Sequence, residues 1–290
     1  MSEPRVSIII RTFNRPDMLK RALDSVASQT WTNREVVVVN DAGCDVKNLL
    51  DELAPKMPQG WGDIVYLNFD RANKPGRCLA ATKGIEASSG EWICYLDDDD
   101  FYYPNHLEVL MDKAATCDSK VFYTDANRGT EEPVGKDGAY VITTVGPGPS
   151  EDFSQTGFYV GCYIHLVTFC HHRSVFDAMG GFDTSLDVLE DLDLFFRYSQ
   201  DHDFVHVPIV TGQFQIRTDN SNAVTAMRDE FVQTREQMLA KYLHTVVRDL
   251  MISLVQGKAA LAAVNSQFES VNARIKRLED EMENLKEKKA

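Results

Sequence analysis

The sequence predicts an α/β fold, in which a mixed, mainly parallel sheet is flanked by helices and followed by a C-terminal coiled-coil helix. Short runs rich in Val and Ile, typical of strands covered on both faces, alternate with segments whose apolar residues recur at helical spacing. Strands that alternate with helices join into parallel sheets through right-handed crossovers. A seven-residue apolar repeat near the C-terminus predicts the coiled coil.

The first part of the chain follows this alternation without a break. Each predicted strand is a short apolar run, and each predicted helix carries an apolar face. Pro104 suits the first turn of the fourth helix. The strands are Arg5–Ile10, Val36–Val39, Ile64–Asn68, Trp92–Leu96 and Lys120–Thr124, and the helices are Asp17–Gln29, Val46–Leu53, Arg77–Ser88 and Pro104–Thr116.

Residues 127–152 interrupt the alternation. They are rich in Gly, Pro and charge, and a loop this long in a compact domain is usually functional or disordered. We predict a mobile flap over the functional site, with a plain surface insertion as the alternative. The elements expected after it are an apolar segment Gly161–Cys170, helices Ser174–Met179 and Glu190–Ser199, and strands Val205–Val210 and Gln213–Arg217.

The C-terminal repeat predicts two domains, at residues 1–240 and 241–290. Apolar residues recur in steps of three and four from Val247 to Leu285, interrupted only by Gly257. Charged residues of opposite sign occupy the flanking heptad positions, as a parallel pair of helices requires. We therefore predict a homo-oligomer. Packing of the helix on its own domain and docking onto a partner protein are the alternatives.

Bulk properties exclude several classes of protein. A net charge of −14 argues against nucleic acid as a partner, because phosphate binding needs a basic face. The chain has no signal peptide at its start and no apolar stretch that could span a bilayer. Six cysteines without a Cys-x-x-Cys pair indicate thiols in a reducing compartment. We expect a cytoplasmic protein, with peripheral attachment to the inner face of the plasma membrane left open.

The run Asp97–Asp100 is the strongest functional signal in the chain. It directly follows the predicted strand Trp92–Leu96, and ligands of open α/β sheets bind at the carboxyl ends of strands. Crowded carboxylates repel one another unless a cation offsets the repulsion, and hard oxygen ligands suit Mg²⁺ or Mn²⁺. The run therefore predicts a site for a metal and a diphosphate. A solvated acidic loop that caps the next helix is the alternative.

Four stretches of the chain, in this order and spacing, resemble family 2 of the glycosyltransferases, which have the GT-A fold. The resemblance covers about residues 4–220 and leaves out the C-terminal repeat. The stretches are Val6–Arg15, Ser25–Thr30 with Glu35–Asp41, Gly84–Ile93 leading into Asp97–Asp99, and Gly180–Asp183 followed by Glu190–Asp193.

This resemblance implies a nucleotide-binding edge. Asp41 would accept a hydrogen bond from N3–H of uracil or thymine, although a turn aspartate that bonds its own backbone is the alternative. Arg77 would lie near the base or the diphosphate, or be a solvated surface charge. Arg11 and Thr12 would line the same edge, although the family often has Pro where this chain has Arg11.

The resemblance also implies a metal and a catalytic base. Asp99 would be the principal ligand of Mn²⁺ or Mg²⁺, Asp97 would support it, Asp98 would contact the ribose, and Asp100 would orient the turn. The metal would stabilise the departing nucleoside diphosphate. Asp191 would take the proton from the acceptor hydroxyl as it attacks the anomeric carbon, so that the anomeric centre is inverted.

Further residues are weaker candidates. Charges at the start of a helix are also stabilised by its dipole, which is the alternative role for Glu190, Asp191 and Asp193. His171 and His172 could touch the acceptor or the diphosphate, with a structural role as the alternative. Arg217 and Asp219 resemble a segment that closes over the diphosphate. These candidates are Glu190, Asp193, His171, His172, Arg217 and Asp219.

The resulting prediction is an inverting, metal-dependent transferase that moves a sugar from a UDP or dTDP donor to a hydroxyl acceptor. A glycan or lipid-linked glycan of the bacterial envelope is the expected acceptor. A sugar-nucleotide pyrophosphorylase is one alternative, but it needs a Gly-rich basic loop after the first strand, and Arg11–Asp17 contains no glycine. A non-catalytic coiled-coil assembly module is the other.

Overall fold

The computed structural model describes residues 3–56, 61–134, 139–222 and 226–255, with three single positions beyond them. In these ranges the predicted alternation of strands and helices is confirmed through residue 116. The strands are β1 Val6–Thr12, β2 Arg34–Asn40, β3 Trp61–Asn68, β4 Trp92–Asp97, β5 Phe101–Tyr102, β6 Val121–Val134, β7 Ala139–Pro147, β8 Phe169–His172 and β9 Phe204–Arg217. The helices are α1 Pro16–Ala27, α2 Lys47–Leu53, α3 Gly76–Ala87, α4 His106–Thr116, α5 Gln155–Val160, α6 Arg173–Met179, α7 Glu190–Tyr198 and α8 Arg228–Val255.

The described strands form one mixed sheet in the order β3-β2-β1-β4-β8-β6-β9-β5, with β7 beside β6. Strands β1 to β4 run parallel, whereas β8 is antiparallel to both of its neighbours. Ile8, Val36, Cys94 and Phe122 are fully buried, because helices cover the sheet. The carboxyl ends of β1, β2 and β4 therefore lie side by side at one edge.

The prediction of a loop over 127–152 is wrong for most of its length. β6 continues to Val134, and β7 pairs with it antiparallel from Ala139 to Pro147. β6 also pairs in parallel with β9 from Val121 to Glu131. Glycine, proline and charge suggest a loop from local sequence alone, but backbone pairing with a strand some 85 residues away decides the structure. The two predicted closing strands are one strand, β9.

The chain divides into two compact units. The first contains residues up to 152 and residues 164–234, and the second contains residues 153–163 and the chain from 235 on. In the second unit, α8 buries Met238 and Tyr242 and exposes Leu243, Val247 and Met251. The repeat positions from Leu261 to Leu285 lie outside the described residues. No helix in the described ranges is long and apolar enough to cross a membrane.

Candidate functional site

A cavity of about 910 Å³ opens at the carboxyl ends of β1, β2 and β4. It is large enough for a nucleotide sugar. The protein is acidic overall, yet five cationic side chains line this cavity together with five carboxylates. The cations are Arg11, Arg15, Lys74, Arg77 and Arg217, and the carboxylates are Asp17, Asp41, Asp97, Asp99 and Asp187.

Backbone strain marks the same region. Among the described non-glycine residues, four have positive φ angles near 60°: Asn14 after β1, Ala42 after β2, Leu189 before α7 and Asn220 after β9. Asparagine tolerates this conformation, but Ala and Leu pay about 1–3 kcal/mol for it. All four are next to, or within a few residues of, predicted site residues. Such strain persists where the surroundings fix the backbone, and it clusters at functional sites.

The end of β2 presents Asp41 to the cavity. Its Oδ1 accepts a hydrogen bond from the backbone N–H of Gly76 at 2.9 Å, and Gly76 has φ of +74° at the start of α3. Burial raises the pKa of Asp41, and the Gly76 N–H and the charge of Lys74 oppose the rise. The carboxylate is thus fixed through one oxygen, and its second oxygen can accept from a ligand.

Arg11 links the ends of β1 and β4 to α7. Its guanidinium contacts Oδ1 of Asp97 at 2.6 Å and Oε1 of Glu190 at 3.0 Å. Arg77 lies 3.7 Å from the same Glu190 oxygen. Burial alone would raise the pKa of Asp97, but the charge and hydrogen bonds of Arg11 outweigh it and lower the pKa. Glu190 therefore pairs with two arginines that line the cavity.

Asp98 is an internal anchor of the acidic run. Its carboxylate is fully buried, accepts a hydrogen bond from Thr12 Oγ1 at 2.8 Å and pairs with Arg15 at 2.6 Å. Burial, with the nearby charge of Asp99, raises the pKa of Asp98 to about 7, against the pull of Arg15. Asp98 does not line the cavity, so the predicted ribose contact would need a rearrangement. Asp100 accepts from the N–H of Gln215 at 3.0 Å and orients the turn.

Asp99 faces the cavity between two arginines. Its Oδ2 pairs with Arg15 at 2.9 Å and with Arg217. Among the described residues, no group of three or more His, Cys, Asp or Glu side chains is arranged to hold a metal. Mg²⁺ and Mn²⁺ often take one or two protein carboxylates and complete their shell with water and phosphate oxygens. Asp99 and Asp97, both at the cavity wall, fit such an ion.

Asp191 lies on the first turn of α7, directly after Glu190. Its Oδ1 accepts from the N–H of Leu192 at 2.8 Å. Burial, and then the charge of Glu190, raise the pKa of Asp191 to about 7. Asp191 is not one of the cavity-lining residues, although Thr184, Leu186 and Asp187 of the preceding loop are. Asp191 therefore follows the cavity-lining loop by four residues, and its raised pKa brings its ionisation near neutral pH.

Several predicted residues lie away from the cavity. Asp193 is fully buried and pairs with Arg197 at 2.7 Å. His171 is fully buried, its Nε2 lies 2.7 Å from the Tyr95 hydroxyl, and burial lowers its pKa to about 4. His172 caps α6. These contacts are structural, so none of the three enters the functional proposal.

The structure adds residues that the sequence did not single out. Phe13 and Arg15 belong to the stretch that carried the family resemblance, so their position could have been inferred. Lys74 precedes Arg77 by three residues, and its ammonium lies 4.3 Å from the centre of the Phe13 ring. Tyr140 gave no local signal, because it lies in the segment predicted as a loop. Asp219 is exposed and does not line the cavity, but it accepts a hydrogen bond from Tyr140.

Comparisons with known proteins agree with this geometry. The model of the family described as Glycosyl transferase family 2 matches residues 7–162, so Asp191 and Arg217 lie beyond the matched part. The uncharacterized glycosyltransferase YwdF of Bacillus subtilis is 29% identical over 226 residues, covering 76% of this chain and 78% of the relative. The uncharacterized glycosyltransferase RT0329 of Rickettsia typhi is 29% identical over 67% of this chain and 58% of its own.

Solved structures share the fold. The crystal structure of S. aureus TarS 1-349 in complex with UDP-GlcNAc matches with a TM-score of 0.55 and 19% identity, over 93% of this chain and 80% of that one. The complex of the same protein with UDP matches with a TM-score of 0.53 and 16% identity, over 73% of this chain and 60% of that one. At this identity the likeness concerns the fold alone.

Proposed function

The chain belongs to glycosyl transferase family 2 and is a glycosyltransferase, and from this premise we propose that it moves a sugar, with inversion, from a UDP or dTDP donor to a hydroxyl acceptor. The observation that carries the proposal is the meeting of Asp41, Asp97 and Asp99 with five cationic side chains in one cavity. Family membership sets aside the pyrophosphorylase alternative.

Recognition of the base is assigned to the end of β2. The second oxygen of Asp41 would accept the N3–H that uracil and thymine share. Phe13, at the cavity wall and 41% exposed, offers a face on which the base can stack. The TarS complexes with UDP and UDP-GlcNAc support a uridine donor, within the limits of a shared fold.

We expect Asp41→Asn to reverse the preference for the base. Asparagine keeps an oxygen for the Gly76 N–H but turns an N–H₂ donor towards N3, so UDP binding should fall by about tenfold. Cytosine carries an acceptor at N3, so CDP should gain relative to UDP. Isothermal titration of UDP, dTDP and CDP measures both effects, with Asp45→Asn as the control on an exposed aspartate of the same loop. An unchanged ratio of UDP to CDP affinity would contradict the assignment.

The diphosphate is assigned to the cationic part of the cavity. Arg15 and Arg217 are both already within hydrogen-bond reach of the acidic turn, and Arg77 stands at the start of α3, where the helix dipole also favours an anion. Asp99, supported by Asp97, would hold Mn²⁺ or Mg²⁺. When bound, the metal supplies positive charge for the leaving diphosphate.

The proton transfer is assigned to Asp191. A carboxylate with a pKa of about 7 is partly ionised at neutral pH and still basic enough to accept a proton. The acceptor would enter past the loop of Thr184, Leu186 and Asp187, which forms the cavity wall on the side of α7. Attack from that side, opposite the diphosphate, gives inversion. A glycan of the bacterial envelope, free or lipid-linked, is the proposed acceptor.

The donor is the first point to test. Thermal-shift measurements with UDP, dTDP, GDP and CDP, each with and without Mn²⁺, should show stabilisation by UDP or dTDP, because a ligand that binds only the native state raises its stability. Release of UDP or dTDP from the matching sugar nucleotide in the presence of an acceptor extract then tests turnover. If no nucleotide stabilises the protein in either buffer, the proposal is wrong.

Self-association is assigned to α8 and the apolar repeat that follows it in the sequence. Leu243, Val247 and Met251 recur at steps of four and are about half exposed, which makes an apolar stripe along the helix. A second copy of the chain, which carries the same repeat, is the proposed occupant.

Replacing Leu243, Val247 and Met251 together with glutamine should shift the protein towards the monomer. Removing apolar surface from the stripe takes away the free energy that holds the copies together, and glutamine keeps the helix propensity. Light scattering after size exclusion measures the mass, and Glu236→Gln with His244→Gln is the control on exposed polar positions of the same helix. If the variant keeps the wild-type mass, the stripe is not part of the interface.

A further inference from the structure

Among the described residues of β7, Tyr140 lines the functional cavity. Its ring lies against the guanidinium of Arg217, with 5.6 Å between Arg217 Cζ and the ring centre. Its hydroxyl donates to Oδ2 of Asp219 at 2.6 Å and is 3.3 Å from Ser221 Oγ. One side chain therefore contacts both the last residue of β9 and the turn that follows it.

The backbone around Tyr140 gives this contact its importance. Among the described strands, β7 pairs with β6 alone, and the residue opposite Tyr140 is Pro133, which has no N–H to donate to the ladder. The hairpin of β6 and β7 therefore has β7 as its outer edge in the described structure. The contacts of Tyr140 with Arg217 and Asp219 fasten it to the turn after β9.

The neighbours of Arg217 set the orientation of its side chain. It is 5% exposed, and it pairs with Asp99 at the centre of the acidic turn. Its backbone N–H donates to Oδ1 of Asn222, which fixes the main chain but leaves the long side chain to be oriented by neighbours. An aromatic face covers the plane of a guanidinium and leaves its N–H groups free to bond at the edge. Tyr140 supplies that face.

We propose that Tyr140 is a positioning residue for donor binding: it holds Arg217 in the orientation that meets the diphosphate, and it couples the β6–β7 hairpin to the acidic turn. The inference rests on the proposed function, because it assumes a nucleoside diphosphate in the cavity. Tyr140 acts through Arg217, so its effect belongs to the diphosphate and not to the base.

The test compares Tyr140→Ala with Tyr140→Phe by isothermal titration of UDP and dTDP, and of uridine and thymidine, in Mn²⁺ buffer. Tyr140→Ala removes the ring and the hydroxyl, and we expect the affinity for the diphosphate to fall about tenfold. Tyr140→Phe keeps the ring over Arg217 and should lose about threefold. Nucleoside affinity should stay the same in both variants. In turnover assays the change should appear in KM for the donor more than in kcat.

A double-mutant cycle separates positioning from general structure. In the Arg217→Ala background, Tyr140→Ala should cause no further loss of UDP affinity, because the group it orients is gone. Asp219→Ala, at an exposed position, should weaken UDP binding as much as Tyr140→Phe does. Combining these two substitutions should cause no further loss of UDP affinity. Tyr66→Phe is the matched control: it removes a tyrosine–aspartate hydrogen bond of 2.8 Å, to Asp45, away from the cavity, and should leave binding unchanged.

The binding measurements distinguish failure of the proposed function from failure of the positioning role. A wild-type protein that binds neither UDP nor dTDP would overturn the proposed function and this inference with it. If the wild type binds and Tyr140→Ala binds UDP equally well, or loses uridine and UDP in equal proportion, the positioning role alone is overturned. Additive losses from Tyr140→Ala and Arg217→Ala would likewise show that Tyr140 does not act through Arg217.

Discussion

Replacing Asp99 with alanine is expected to lower kcat/KM by about 10²–10³-fold and to remove the metal dependence of nucleotide binding. In the wild type, the carboxylate of Asp99 lies at the cavity wall, where it repels a diphosphate, and it engages Arg15 and Arg217, the cations best placed to attract one. Nucleotide binding should therefore require a metal that neutralises the acidic turn. Alanine removes the repulsion and releases both arginines.

The effect of Asp99→Ala on UDP affinity should depend on the metal. Without Mn²⁺, the Asp99→Ala protein should bind UDP more tightly than the wild type does. Adding Mn²⁺ should leave the UDP affinity of the Asp99→Ala protein unchanged and raise that of the wild type. Titrations of UDP in Mn²⁺ and in EDTA measure both, and Asp24→Asn, an exposed carboxylate paired with Lys20, is the control. Equal metal dependence in wild type and Asp99→Ala would remove Asp99 as the metal ligand.

Replacing Asp191 with asparagine is expected to lower kcat by about 10²–10⁴-fold while UDP binding is retained. Asparagine has nearly the same shape but cannot take the proton of the acceptor hydroxyl. In the wild type, kcat/KM should rise with pH through about 7, because Asp191 must be ionised to act as a base. Steady-state kinetics from pH 5.5 to pH 8.5, on the order of three pH units around that pKa, measure this profile.

The same substitution should stabilise the protein in alkaline buffer. The pKa of Asp191 is raised in the folded state, from an ordinary 3.8 to about 7, so the folded protein binds a proton that the unfolded chain has released. Its stabilising contribution is complete below the ordinary value and is lost as pH rises through 7. Asparagine carries no charge to bury, so the gain in melting temperature over the wild type should be larger at pH 8 than at pH 5.

Asp193→Asn is the comparison variant for Asp191→Asn. Asp193 lies two residues further along α7 but is buried in an ion pair with Arg197, so its loss should lower the melting temperature and leave kcat nearly unchanged. If Asp191→Asn retains full turnover, or if Asp193→Asn loses as much kcat as Asp191→Asn, the proton acceptor is not Asp191.

The acidic residues at the strand ends illustrate which parts of the site could be predicted. Asp97–Asp100 follow an apolar strand, and Asp41 follows another, so strand order alone brings them to one edge. The different duties within the run could not be inferred. Asp98 is buried against Thr12 and Arg15, Asp99 faces the cavity, and Asp100 fastens β9, because the turn after β4 points successive side chains in different directions.

The segment 127–152 shows why the rest was missed. Its composition indicates a loop, but β6 pairs with β9, far apart in sequence, as far as Glu131, and β7 pairs with β6. Together these pairings bring Tyr140 to Arg217. His171 and His172 could not be assigned for a related reason, since nothing local distinguishes a strand residue that faces the core from one that faces a cavity.

By itself, the sequence determined the alternation of strands and helices and the acidic strand tips, because apolar periodicity and strand-end chemistry are local properties. Four ordered stretches of it carried the resemblance to the family. The tertiary structure decided which side chains meet: Glu190 with Arg11 and Arg77, Asp99 with Arg15 and Arg217, and Tyr140 with Asp219. Such pairs join residues far apart in the sequence, and their geometry depends on sheet register and burial, which no local pattern encodes.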